Sequence, residues 1–141
     1  MTLNSGLVLA GRILITYIFL SSGFGKLADL SGSMAYTAAG GLPGFMVFPA
    51  IAIEDVGGLA VLVGWQTRWA SLALAVFSLM TAYLFHYLPA QGLDGMAQMG
   101  QMINFYKNIA IAGGFLILAG AGAGSLSVDA MLGRKGGIAL A

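Results

Sequence analysis

Glu54 and Asp55 stand side by side in the middle of an apolar run, Phe45 to Trp65. Carboxylates in such a setting can hold a proton or pair with a base. An ionisable side chain at membrane depth costs roughly 2.5–3.5 kcal/mol on insertion scales, so it normally faces protein or water. Neighbouring residues of a helix point about 100° apart, so the two carboxylates cannot easily share one role. We therefore expect one of them to face the interior of a helix bundle.

Two later segments carry further polar groups at helical spacing. The spacings 83/86/87 and 104/107/108 each place residues on one face of a helix. These faces would bring a phenol, an imidazole, an ammonium and amide groups toward the carboxylates. The predicted polar or ligand-binding cluster therefore consists of Glu54, Asp55, Tyr83, His86, Asn104, Lys107 and Asn108.

Composition indicates which elements must position this cluster. The hydrophobic share is 59% and the charged share only 8%, whereas soluble domains carry about 25% charged residues. Four apolar stretches are long enough to cross a bilayer, which takes roughly 20 helical residues. We predict an all-α membrane protein, a four-helix antiparallel bundle forming one domain over residues 1–141. Its spans are Gly6–Gly25, Phe45–Trp65, Trp69–Leu88 and Ile103–Ala121.

The sequence also excludes several classes of chemistry. The chain has no cysteine, which rules out disulfides, thiol relays and thiolate metal sites within it. Its single histidine, His86, rules out a haem held by two histidines of one chain. We expect no metal site, no intrinsic cofactor and no nucleic-acid partner.

The loops and tail differ in character. The segment from Asp29 to Phe48 is too polar and broken to span, yet too apolar for a free loop. It is typical of a lid, with a short interfacial helix through Met34–Ala39. Beyond Gly122 the chain is rich in Gly and Ser, and residues Asp129–Leu132 predict a short helix ending at Gly133.

The basic residues predict the orientation. Arg12, Arg68, Arg134 and Lys135 lie toward the end that carries both termini, whereas Lys26 and Lys107 lie toward the other. The positive-inside rule therefore favours cytoplasmic termini. At the opposite, outer end the polar cluster would converge beneath the loop.

Several of these side chains have a simpler structural interpretation. Glu54 and Lys107 could form an ion pair that only fixes helix packing, and His86 could be an interfacial residue. Long basic side chains often reach to lipid headgroups. We therefore assign Arg12, Lys26 and Arg68 to contacts with lipid or a partner. For Arg12, pairing with Asp55 is an open alternative.

The order of short motifs resembles the DoxX family of small four-span bacterial membrane proteins, over nearly the whole chain. Singly the motifs are weak, but in this order they are specific. They are Gly11-Arg12-Ile13-Leu14, the segment from Phe19 to Leu27, Gly41-Leu42-Pro43, the segments 54–59 and 64–68, Phe85-His86, the segment 104–114 and the tail 122–129.

The resemblance implies a multi-pass protein of the bacterial inner membrane that associates with a respiratory or redox complex linked to quinone. Such a subunit would lie among membrane lipids and other subunits. The resemblance favours a non-catalytic subunit of an oxidoreductase complex over an enzyme. Glu54, His86 and Lys107 supply the donor and acceptor types that a quinone needs. A phospholipid is the other ligand to expect.

Two other functions are open at this point. A stand-alone small-molecule or proton-coupled transporter would use Glu54 as its carrier carboxylate, although four spans without an inverted repeat are few for alternating access. A purely structural accessory subunit would need no ligand.

The orientation can be tested because the chain has no native cysteine. We expect cysteines introduced singly at Leu3 and Gly137 to resist a membrane-impermeant maleimide added to intact cells, and to react after the membrane is opened. A cysteine at Gly92, in the predicted outer loop, is the matched control and should react in intact cells. Labelling of positions 3 and 137 in intact cells would show that the topology is the reverse of the predicted one.

Overall fold

Helices form nearly all of the computed structural model, which describes residues 3–133. Within that range four helices are long and apolar enough to cross a membrane, and no strand occurs. The predicted fold class is confirmed. We call the helices the first to fourth spans, in chain order: Asn4–Ala28, Gly44–Val63, Thr67–Ala90 and Gly95–Ala121.

One boundary was wrong by about two turns. The fourth span begins at Gly95 instead of Ile103, so Met96, Met99 and Met102 lie on the helix and not in a loop. Low charge in this stretch and the extended Asp94 before it allow the helix to start early. The extra turns bring Gln101 alongside the third span.

The spans pack through aromatic and small residues. Phe19 of the first span meets Phe115 of the fourth edge-on, with ring centroids 5.3 Å apart. Gly57 lies against Leu74 and Gly58 against Leu20, at distances that leave little room for a methyl group. Small residues therefore let these helices approach closely, as the Gly57-Gly58 pair predicts.

Two spans contain a π-helical turn. Ile53–Gly57 interrupts the α-helix of the second span, and Tyr83–Tyr87 interrupts the third. The second interruption has a local cause, because Pro89 lacks an N–H and its ring clashes with the carbonyl four residues earlier, that of Phe85. Glu54 lies in the first π turn and His86 in the second, and such turns are frequent at functional sites.

A separate helix, Leu30–Ala39, comes after the first span; we call it the loop helix and its end of the bundle the loop end. Asp29 caps it by accepting from the N–H of Gly32 at 3.0 Å. The ring of Tyr36 stacks on Phe85 of the third span at 5.4 Å. The short helix predicted in this segment is therefore present, but it begins at Leu30 instead of Met34 and packs on the bundle.

The opposite end is closed by the tail, residues 122–133. The helix Val128–Met131 lies there, and Gly133 comes after it with a φ of +66°. The Asp129 carboxylate accepts hydrogen bonds from the backbone N–H groups of Gln66 and Thr67, each at 2.9 Å, at the start of the third span. The tail therefore supplies the N-terminal cap that this span lacks locally.

Arg12 holds the same tail from inside the bundle, and its assignment to lipid or a partner was wrong. The residue is only 1% exposed, and its guanidinium donates to the carbonyls of Ala123 at 3.0 Å and Leu126 at 2.6 Å. It does not pair with Asp55. These two carbonyls accept from Nη1 and Nη2, whereas Nε has no hydrogen-bond partner in the described part of the chain. Arg134 and Lys135, which contribute to the predicted orientation, lie outside the described residues.

We expect Asp129→Ala to lower the free energy of unfolding by about 1–3 kcal/mol, because two backbone donors and the Thr67 hydroxyl lose their acceptor. Unfolding in mixed micelles, monitored by circular dichroism, measures the change. Asp94→Ala is the matched control, since Asp94 precedes the fourth span without forming a side-chain cap bond. Equal effects of the two substitutions would contradict the capping role.

Candidate functional site

A pocket of about 310 Å³ lies at the loop end of the bundle, with walls from all four spans and the loop helix. Its size is at the lower end of the roughly 300–1,000 Å³ typical of small-molecule sites. Most of the wall is apolar, including Phe19, Phe77 and Ile111. The charged and polar side chains of the wall include Ser22, Lys26, Glu54, His86, Lys107 and Asn108.

The first polar group of the pocket is an ion pair between the first and second spans. Lys26 Nζ lies 2.9 Å from Glu54 Oε1 and 2.7 Å from Oε2. Ser22 lies one turn before Lys26; its hydroxyl accepts from Nζ at 2.5 Å and donates to Glu54 Oε1 at 3.0 Å. Glu54 is buried and Lys26 partly exposed, at 6% and 23% of their side chains. The pair therefore neutralises a carboxylate within the bilayer.

This geometry corrects the expected partner of Glu54. Among the described residues its carboxylate pairs with Lys26, and not with Lys107 or His86. Lys26 was assigned to lipid or partner contact, an assignment that the ion pair contradicts. The four-residue spacing of Ser22 and Lys26 was visible in the sequence, but nothing there showed that this face meets Glu54.

The second polar group lies on the third and fourth spans. His86 Nδ1 is 2.8 Å from the side-chain oxygen of Gln101. Lys107 donates to the Asn104 side-chain oxygen at 2.8 Å. Of these, His86 and Lys107 line the pocket together with Asn108, whereas Asn104 supports Lys107 from the same helix. Sequence reasoning missed Gln101, because it placed that residue in a loop.

Besides Asn104, two further predicted members, Tyr83 and Asp55, do not line the pocket. Tyr83 is 51% exposed and stacks on Tyr87 with ring centroids 5.7 Å apart. Asp55 lies against Gly23 of the first span, where even a methyl group would collide with it. Its Oδ1 is buried and has no hydrogen-bond partner in the described part of the chain. Placing Tyr83 and Asp55 in the cluster was wrong, because neither lines the pocket that Glu54 and His86 share.

Arg68 lies far from the pocket, half-buried at the start of the third span. Its predicted contact with lipid or a partner stays a prediction. Within residues 3–133, no group of three His, Asp or Glu side chains is arranged to hold a metal ion. The pocket instead offers a neutralised carboxylate, an imidazole, an ammonium and an amide around an apolar centre.

Fold and site together define a small four-helix integral membrane protein with a polar-lined pocket at one end. The chain belongs to the DoxX family, whose model matches residues 7–87. It is 42% identical to the inner membrane protein YqjF of Escherichia coli K12, over 91% of this chain and 93% of that protein. The resemblance stated from the motifs is confirmed.

Two further relatives extend the comparison. The inner membrane protein YphA of Escherichia coli K12 is 35% identical over 87% of this chain and 88% of its own length. A protein named putative oxidoreductase CatD, from Bacillus subtilis 168, is 32% identical over 46% of this chain and 48% of its own. No solved structure matches the chain.

We expect Lys26→Met to destabilise the fold by about 2 kcal/mol, since it leaves the Glu54 carboxylate buried without its cation; partial exposure of Lys26 lowers the cost below that of a fully buried pair. Unfolding in mixed micelles measures it. The double variant Lys26→Met, Glu54→Gln should recover most of the loss.

Lys107→Met is the control for removal of an ammonium group. Because Lys107 is exposed and bonds only to Asn104 among the hydrogen bonds described, we expect a change within about 0.5 kcal/mol. A double variant no more stable than Lys26→Met alone would argue against the ion pair as the source of the effect.

Proposed function

We propose that this DoxX protein is a membrane subunit of a redox assembly and that its pocket binds a quinone. The observation that carries the proposal is the convergence of His86, Lys107 and Asn108 on an apolar pocket at the loop end. A quinone headgroup is complementary to such a pocket, because it is a flat apolar ring with polar oxygens at its edge. The apolar wall takes the ring, and the polar side chains take the oxygens.

The hydrogen bonds already present support a role for His86 and for Lys107 in this proposal. The Gln101 side-chain oxygen can only accept, so His86 Nδ1 carries the proton in their 2.8 Å contact. In the neutral ring this leaves Nε2 as an acceptor. Lys107 uses one N–H donor in its hydrogen bond to Asn104 and has two further N–H donors. His86 therefore accepts a proton from a quinol hydroxyl, and Lys107 donates to the ring oxygen.

The redox association rests on the relatives and on the chain's chemistry. CatD, which matches about half of this chain, is named a putative oxidoreductase. The present chain has no cysteine and one histidine. A partner subunit would therefore supply electrons to a bound quinone or accept them from a bound quinol. Transport is less well supported, since Glu54, its expected carrier carboxylate, is engaged by Lys26 and Ser22.

Photolabelling tests the proposal. The purified protein in lipid nanodiscs is exposed to a short-tailed ubiquinone analogue bearing a diazirine, in oxidised and in reduced form, and adducts are mapped by mass spectrometry. We expect adducts on pocket-lining segments, with His86→Leu and Lys107→Met each weakening labelling about tenfold, the value of one hydrogen bond to a charged or proton-accepting group.

Arg68→Met is the matched control, because it removes one cation at the opposite end of the bundle. It should label like the wild-type protein. Unchanged labelling in both pocket variants would overturn quinone binding at this site. Labelling that disappears as anionic phospholipid is added to the nanodisc would identify a lipid as the occupant.

A further inference from the structure

The pocket has two polar groups, one on the first and second spans and one on the third and fourth. Lys26, Glu54 and Ser22 lie on the first and second spans; we call them the carboxylate pole. His86 and Lys107, with Asn108, lie on the third and fourth spans; we call them the imidazole pole. The rest of the wall is mainly apolar, with Phe19, Phe77 and Ile111 among its residues. A ligand that reaches both poles needs a polar atom at each end of an apolar ring.

The hydroxyl groups between the poles do not compete for such a ligand. Ser78 donates to the Leu74 carbonyl at 2.7 Å, and Thr81 to the Phe77 carbonyl at 2.9 Å. Both hydroxyls are thus bound to their own helix, one turn back. The protons of these two hydroxyls are therefore not available to a ligand, and the charged groups of the two poles determine which ligand the pocket favours.

The carboxylate pole can accept but not donate. An ammonium group has three donors, and Lys26 Nζ has three acceptors within 3.0 Å: Ser22 Oγ, Glu54 Oε1 and Glu54 Oε2. The Ser22 hydroxyl donates its proton to Oε1. Glu54 Oε2 accepts only from Lys26 among the described hydrogen bonds, so a carboxylate lone pair is left for a ligand.

We propose that the pocket selects the reduced, dihydroxy form of its quinone ligand, with Glu54 as the selecting residue. This rests on the proposed function and names the chemical form that the site takes. A hydroquinone carries an O–H at each end of its ring: one donates to Glu54 Oε2 and the other to His86 Nε2. A quinone would turn a carbonyl oxygen toward Glu54, where no donor is free, and two buried acceptors facing each other are costly.

Competition measures the preference directly. The hydroquinone and quinone forms of one short-tailed analogue, the former kept reduced without oxygen, each displace the diazirine probe from nanodiscs. Their concentrations are expressed per mole of lipid, so that membrane partitioning cancels. We expect the hydroquinone to compete at least about tenfold better in the wild-type protein, because a site built to bind an O–H discriminates against an analogue without it.

Glu54→Gln should abolish or reverse the preference for the hydroquinone, because the new amide can donate to a quinone carbonyl. Asp55→Asn is the matched control: it makes the same carboxylate-to-amide change one residue along, where the side chain lies against Gly23 and outside the pocket. It should keep the wild-type ratio. Because each ratio is taken on a single protein preparation, a partly unfolded fraction does not alter it.

The outcomes separate the two claims. Equal competition by both forms in wild type, or a preference that survives in Glu54→Gln, overturns the selection by Glu54 and leaves quinone binding standing. Failure of both forms to displace the probe, or of the probe to label the pocket, overturns the proposed function and this inference together. A preference for hydroquinone that Glu54→Gln removes and Asp55→Asn keeps establishes it.

Discussion

A carboxylate within a bilayer must be neutralised, and the loop end of this protein is organised around that requirement. Glu54 is buried at 5% exposure, and Lys26 reaches it from one turn beyond Ser22 on the first span. The ion pair fixes the contact between first and second spans. It also leaves a polar surface that opens into the pocket rather than into lipid, so one interaction serves both packing and site.

The first span repeats this solution at its other end. Arg12 is only 1% exposed, and two of its guanidinium nitrogens donate to carbonyls of the tail. Asp129 of the same tail caps the third span. A cation in each half of this helix, the buried Arg12 and the partly exposed Lys26, therefore ties the first span to distant parts of the chain. At the loop end the contact is between two side chains, Lys26 and Glu54. At the tail end the Arg12 side chain binds backbone carbonyls.

The π turns connect these packing constraints to the site. Each one widens a helix by one residue and rotates the helix beyond it, and the two turns carry Glu54 and His86. In the second span the turn directs Glu54 to the pocket and leaves Asp55 against Gly23. In the third span it places His86 opposite Gln101, beside the stacked pair of Tyr36 and Phe85. The two poles thus depend on local departures from α-helical geometry.

The sequence by itself determined the four spans, the loop helix, the short tail helix and the contact role of Gly57 and Gly58. These depend on length, hydropathy and residue size, which act locally along the chain. It also predicted a polar cluster of seven residues, because ionisable groups at membrane depth normally face protein, and four of them line the pocket: Glu54, His86, Lys107 and Asn108. The order of short motifs identified the family.

Only the tertiary structure decided which of these groups meet. The partner of Glu54 is Lys26 and not Lys107, Arg12 binds the tail and not lipid, and Asp55 and Tyr83 lie outside the pocket. Spacing along one helix gives a face, but the rotation of that face relative to another helix depends on packing and on the two π turns. A rotation of one residue, about 100°, is enough to exchange Asp55 for Glu54 at the pocket wall.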